Sequence, residues 1–314
     1  MAAFNNVYEV WIMSKIAFVF PGQGAQYCGM GKDFYDAFEA ARDVYELAQK
    51  ATGLDVAWLC FTENDRLDIT EYTQIAMLTT EVAILKVLQE KGIKADCCAG
   101  LSLGEYGALA AAEVIEPENL FRLIRSRGIF MQEAYPAGGA MTAVLGLDAV
   151  TIGDVCSSVE GIVSIANDNC PGQIVITGEE KAVQQASDRL MGAGARKCVP
   201  LKVSGPFHSA LMTGAGEKLA KELEGVTVKD PAIPYLCNVE AAFVTDASRV
   251  KELLVKQVSG TVRWRESVER MIGDGVDTFI EIGPGKTLTG FLRKIDRNVT
   301  AKNVETVDDL NKLL

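Results

Sequence analysis

Short apolar runs bounded by glycine or proline alternate with longer stretches of helical spacing along most of the chain, and that alternation predicts an α/β protein built on a parallel sheet. The run Ile16-Ala17-Phe18-Val19-Phe20 contains no polar position, as a strand covered on both faces requires, and it stops at Pro21-Gly22. Comparable strands are expected at 95–100, 234–238 and 278–282. Helices are expected at 31–52, 71–91, 105–112, 117–134, 209–223, 248–258, 264–274 and 286–294. Between 138 and 203 the rhythm changes to strand 140–145, helix 151–159, strand 162–166, strand 173–177, helix 181–193 and strand 197–203. That β-α-β-β-α-β order is ferredoxin-like, and it predicts a small subdomain (138–203) inserted into a main domain formed by 13–137 and 204–314. Met13-Ser14-Lys15-Ile16 reads as a natural start just before the first strand, so 1–12 is expected to be an N-terminal extension.

Candidate chemistry begins where the 95–100 run meets an alanine-rich helical stretch, at Gly100-Leu101-Ser102-Leu103-Gly104. A G-x-S-x-G pentapeptide between a strand and a helix forms a tight elbow that lifts the serine hydroxyl clear of the backbone, so Ser102 is the candidate nucleophile and the main domain is expected to be α/β-hydrolase-like. A serine needs a base, and the chain holds one histidine, His208, in Gly205-Pro206-Phe207-His208-Ser209 after a strand-like run. The oxyanion of an elbow enzyme is held by two backbone N–H groups. One is expected from Leu103, just after the nucleophile, and the other from the glycine-rich loop Pro21-Gly22-Gln23-Gly24, with Gln23 its supplier. That loop lacks the Lys-Ser/Thr ending of a phosphate-binding P-loop, which disfavours nucleotide.

Composition narrows the class. At 314 residues with 48% hydrophobic content the chain can bury a substantial core, and a net charge of −11 argues against nucleic acid as a partner. The eight cysteines include no C-x-x-C and no cysteine–histidine cluster, so neither a metal site nor a redox pair is expected. Reduced thiols, no basic-then-apolar leader and no apolar stretch long enough to cross a membrane predict a cytoplasmic protein with no membrane partner. A serine esterase or thioesterase would share the elbow and the histidine.

Six ordered motifs carry a resemblance. Phe20-Pro21-Gly22-Gln23-Gly24-Ala25-Gln26, the elbow through Tyr106, Arg127-Gly128 with Met131-Gln132-Glu133, 169–178, 205–212 and Gly283-Pro284-Gly285-Lys286 together resemble the malonyl-CoA:acyl carrier protein transacylase family, in order from about 15 to about 295. The resemblance implies transfer of malonyl from malonyl-CoA to the phosphopantetheine thiol of holo acyl carrier protein through a malonyl-Ser102 ester, in the service of fatty acid biosynthesis. It also implies no cofactor and a monomer, with a discrete polyketide-pathway acyltransferase as the nearest alternative. By the same resemblance Arg127 grips the free malonyl carboxylate and the backbone carbonyl of Gln257 steadies His208. The family's elbow commonly has histidine before the serine, where this chain has Leu101, expected to pack beneath the turn; Phe207 resembles the malonyl-selective form of its motif. Both malonyl-CoA and the carrier are anionic, so a local basic patch is expected among Arg196, Lys197, Lys202, Arg263, Arg265, Arg293, Lys294 and Arg297.

Overall fold

The computed structural model describes residues 14–203 and 205–314; the expected extension 1–12, Met13 and Ser204 lie outside the described residues. The first half runs β1 (Lys15–Phe20), α1 (Lys32–Ala37), α2 (Glu39–Thr52), α3 (Val56–Phe61), α4 (Thr70–Glu90), β2 (Cys97–Gly100), α5 (Gly104–Ala111) and α6 (Pro117–Ala134). A middle section follows with β3 (Gly139–Leu145), α7 (Ala149–Ser157), β4 (Val163–Cys170), β5 (Gln173–Glu179), α8 (Glu180–Gly192) and β6 (Lys197–Pro200). After a 3-10 turn (Ala210–Met212) come α9 (Thr213–Glu224), β7 (Tyr235–Cys237), β8 (Ala242–Val244), α10 (Ala247–Ser259), α11 (Trp264–Gly273), β9 (Val276–Ile282), α12 (Thr287–Ile295), β10 (Thr300–Val304) and α13 (Val307–Leu313).

The main sheet has the order β10-β9-β1-β2-β7-β8 and is parallel except for the β7–β8 hairpin. Its central strands β1 and β2 are covered on both faces, which is why they read as unbroken apolar runs. Along β1, Phe18 and Phe20 pack into the layer that holds Ile75 and Tyr106, while Ala17 and Val19 pack into the layer of Trp264, Met271 and Leu288. Phe20 and Gly100 are register partners at the carboxyl ends of β1 and β2. The glycine-rich loop and the elbow therefore leave the sheet side by side, with the Leu101 N–H donating to the Phe20 carbonyl at 3.0 Å. Open α/β sheets place their ligands at this edge.

The second sheet has the order β4-β5-β3-β6 and is antiparallel throughout, with the β-α-β-β-α-β connection expected of its sequence. Its β4 runs past the expected 162–166 to Cys170, with register shifts at Ile165/Asn167 and Asp168/Cys170 where it bridges to Val262. There the Asp168 N–H donates to the Val262 carbonyl at 3.0 Å and the Val262 N–H to the Ala166 carbonyl at 2.8 Å. The small sheet is thus stitched to the turn between α10 and α11.

Three expectations needed correction. The 31–52 helix is two helices, broken at Phe38, which adopts an extended conformation while its ring packs 5.8 Å from Phe34 and beneath the Lys91 ammonium. The 209–223 helix starts later, after the 3-10 turn. Two short strands and two short helices went unread. Of these, β8 has only three residues, edge strand β10 alternates with exposed positions, and α13 is announced only by the Thr306–Asp309 capping box.

Candidate active site

The elbow requires both of its glycines. A Cβ on Gly100 would lie 1.9 Å from the Gly104 carbonyl, and one on Gly104 would lie 2.1 Å from the Phe20 carbonyl oxygen, so the turn closes only with hydrogen at both places. Between them Ser102 sits at φ 55°, in the left-handed region that costs a serine backbone strain. Asn238, just past β7, holds the turn from below: its Oδ1 accepts from the Ser102 N–H at 2.7 Å and its Nδ2 donates to the Gly100 carbonyl at 2.6 Å. Leu101 packs against the apolar layer that holds Ala17, Val19 and Leu288. It is partly exposed and faces the cavity beside Gly22.

His208, the other strained non-glycine residue here at φ 61°, brings its Nε2 to 2.7 Å from the Ser102 Oγ. Its Nδ1 lies 2.8 Å from the Gln257 carbonyl oxygen. A carbonyl only accepts, so Nδ1 carries the proton and Nε2 presents its lone pair to the serine hydroxyl. Burial and the nearby positive charge of Arg127 push the imidazole down to about 4, against the pull of the Gln257 and Gly260 carbonyls, so the ring is neutral at pH 7. Among the described residues no carboxylate takes part in orienting it, and the arrangement is a dyad backed by a peptide carbonyl.

Arg127 is the largest departure from what its sequence position suggests without the family resemblance, a surface cation on an amphipathic helix. On α6 it points inward and is 1% exposed. Its Nη1 donates to Gln74 Oε1 at 2.6 Å, its Nη2 to Gln257 Oε1 at 3.0 Å, and that Nη2 stands 3.4 Å from the Ser102 Oγ. The Tyr106 ring lies 5.4 Å below the guanidinium carbon. Among the described residues no carboxylate forms an ion pair with Arg127, so a full positive charge stands beside the nucleophile, held by the amides of Gln74 and Gln257, the Ser102 hydroxyl and the Tyr106 ring.

A cavity of about 240 Å³ opens over these groups between the two sheets. Gln23, Leu101, Ser102, Arg127, Phe207 and His208 line it from the main-sheet side, and Met141, Asn167, Asn169 and Gln173 are among its lining from the small sheet. Every sequence-derived site residue is therefore brought together. The backbone N–H groups of Gln23 and Leu103 donate to no acceptor among the described residues, and the Gln23 side chain donates to Thr70 Oγ1 at 3.0 Å. Asn169 and Gln173, which a hairpin turn alone explains in the sequence, also face the cavity. Of the basic residues, Arg265 pairs with Asp168 at 3.1 Å and Arg263 with Glu266, while Lys294 donates to Gln173 Oε1 at 3.0 Å on the cavity side.

Sequence reasoning missed Asn238, Gln74 and Glu105, and it missed the Gln257 side chain. Glu105 is fully buried on α5, where its Oε2 accepts from the Asn238 N–H at 3.0 Å and from Gln257 Nε2 at 2.8 Å. Burial pushes its carboxyl up to about 7, against those two bonds and the charge of Arg127. A signal was present: Glu105 is the one charged residue in an otherwise apolar helix, and Gln74 is a polar position on the buried α4.

A strained serine on a strand–helix turn, bonded to a neutral imidazole, defines an α/β protein with the layout of serine–histidine acyl transfer. The chain belongs to the acyl transferase family, whose domain model (Acyl transferase domain) matches residues 17–311. It is 44% identical over 304 residues to the malonyl CoA-acyl carrier protein transacylase of Bacillus subtilis (strain 168), covering 94% of this chain and 96% of that protein. Among solved structures, the malonyl CoA-acyl carrier protein transacylase of Clostridium perfringens superposes with a TM-score of 0.93 at 42% identity, covering 96% of each chain. A malonyl-transacylase solved in complex with a holo type II PKS acyl-carrier protein gives 0.93 at 42% identity, covering 96% of this chain and 99% of that one.

Proposed function

We propose that the protein transfers malonyl from malonyl-CoA to the phosphopantetheine thiol of holo acyl carrier protein, supplying extender units for fatty acid biosynthesis. The observation that carries this reading is the placement of a buried guanidinium, with no carboxylate partner among the described residues, 3.4 Å from a serine hydroxyl that is itself 2.7 Å from an imidazole nitrogen. An esterase of neutral acyl groups has no use for that charge, whereas a planar guanidinium grips a carboxylate in two parallel bonds.

In the first half-reaction His208 Nε2 takes the Ser102 proton as the hydroxyl attacks the thioester carbonyl. The N–H groups of Gln23 and Leu103 hold the oxyanion, and His208 returns the proton to the departing CoA thiolate. In the second, the same nitrogen deprotonates the carrier thiol, the thiolate attacks the ester carbonyl, and as the bond to Ser102 Oγ breaks His208 returns the proton to that oxygen. Kinetics are ping-pong. Arg127 holds the malonyl carboxylate in both halves. The main unit (13–137 and 204–314) then supplies the chemistry and the inserted unit (138–203) a wall, while the basic side chains around Lys294 receive the acidic carrier. The enzyme works as a cytoplasmic monomer without a cofactor. The similarity to a transacylase solved with a type II PKS carrier favours a polyketide carrier as a second recipient.

The test is an intact-protein mass spectrum after brief mixing with malonyl-CoA. One malonyl adduct is expected, absent in Ser102→Ala and discharged by added holo carrier. Steady CoA release with no adduct would make the protein a hydrolase.

A further inference from the structure

We propose that Glu105 is a positioning residue that fixes the amide of Gln257 and, through it, the guanidinium of Arg127. The proposal rests on the reading of Arg127 as the group that binds the malonyl carboxylate. A glutamine amide has one accepting end and one donating end, and which way it points is set by what surrounds it. Around Gln257 Nε2 stand three acceptors: the Ser102 carbonyl at 2.8 Å, Glu105 Oε2 at 2.8 Å and Asn238 Oδ1 at 3.3 Å. The other end, Oε1, accepts from Arg127 Nη2 at 3.0 Å. Turned over, the amide would set its NH2 against the guanidinium, donor against donor, and its oxygen against three acceptors.

Glu105 is the one ionisable member of that ring of acceptors, and with its carboxyl pushed up to about 7 it is only partly ionised at neutral pH. Its Oε2 accepts from Gln257 Nε2 in the observed orientation, and its ionised form places countercharge a single amide away from Arg127. That distance matters. A carboxylate bonded directly to Arg127 would occupy the face that the substrate carboxylate needs. With no anion nearby, a buried cation would carry its full desolvation penalty. The amide between them reconciles the two demands. Glu105 itself cannot drift, because its Oε2 also accepts from the Asn238 N–H at 3.0 Å. His208 does not depend on the relay, since it is held by the main-chain carbonyl of Gln257 within α10.

The experiment compares acylation by malonyl-CoA and acetyl-CoA in Glu105→Leu, Glu105→Gln and Arg127→Ala. Glu105→Leu is expected to lower malonyl kcat/KM by roughly tenfold or more, the scale of one displaced charge-assisted hydrogen bond, with acetyl changed by less than about threefold. Glu105→Gln keeps an acceptor oxygen for Gln257 and should recover most of the malonyl activity. Equal losses for both acyl groups in Glu105→Leu, or an unchanged ratio where Arg127→Ala changes it, would overturn the relay. An unchanged ratio in Arg127→Ala would instead overturn the reading of Arg127, and the relay with it. Should Glu105→Leu fail to fold, Glu105→Met, which fills the same buried volume without an acceptor oxygen, must produce the selective malonyl loss, or the proposal falls.

Discussion

The two walls of the cavity are built on opposite principles. On the main-sheet side, Ser102, His208, Arg127, Gln257, Glu105 and Asn238 form a continuous buried hydrogen-bonded network in which most polar ends meet a partner of the right kind, and two residues carry backbone strain. On the small-sheet side, Met141, Ala143 and Val175 present apolar surface, and the amides of Asn167, Asn169 and Gln173 stand along one bent strand and the start of the next. Networks of the first kind hold atoms to fractions of an ångström, because breaking any link leaves a buried polar group unpaired. Walls of the second kind define volume and tolerate exchange of similar shapes. The difference assigns chemistry to one half and acyl-group fit to the other.

The strongest way to break that assignment is Arg127→Ala. Loss of a charge-assisted pair should lower malonyl kcat/KM by about 10²-fold while transfer of uncharged acetyl is spared or improved, read from rates of CoA release in the presence of holo carrier. If acetyl suffers as much as malonyl, the guanidinium serves the network and not the substrate.

The small sheet offers the complementary test. Met141 is buried, lines the cavity and belongs to no hydrogen-bonded group of the site. Met141→Ala should raise transfer of branched methylmalonyl relative to malonyl by roughly tenfold, the scale on which a pocket distinguishes one methyl group, with malonyl turnover changed by only about threefold. A collapse of malonyl turnover at full folding would mean that the wall also positions the chemistry, and the contrast between the halves would be lost.

How far the sequence could be read follows the same division. Parallel strands buried on both faces leave apolar runs, and the elbow leaves a pentapeptide, so β1, β2 and Ser102 were legible. The lone histidine made His208 legible by elimination. Arg127 was visible only through a family resemblance, because a residue on an amphipathic helix carries no local sign that its guanidinium turns inward. Asn238 and the Gln257 side chain were invisible for a different reason. Each acts through a partner more than a hundred residues away, Ser102 in both cases, and that proximity exists only once β2, β7 and α10 have converged. Phe38 shows the converse limit: it lies in a stretch of good helix pattern, and tertiary packing of its ring overrides the pattern.

The smallest effect expected is also the one that most sharpens the role of charge on the catalytic side. His208 sits at about 4, with burial the first cause and the positive charge of Arg127 the second. A carboxylate seated on Arg127 offsets the second cause, so the imidazole becomes more basic when malonyl is bound than when acetyl is. The sign follows directly. A base with a higher pKa is lost to protonation earlier as pH falls, so the acid limb of the single-turnover acylation rate at saturating malonyl-CoA should lie at higher pH than the same limb for acetyl-CoA. The limb of kcat/KM reports the free enzyme and should be common to both substrates, near 4. Arg127→Ala removes the charge before any substrate arrives, so its free-enzyme limb should move up and the difference between the two acyl groups should vanish. Coincident single-turnover limbs in the wild-type protein would mean that the carboxylate never reaches the guanidinium. In that case the neutral amides around Arg127 serve some purpose other than leaving its charge open to substrate.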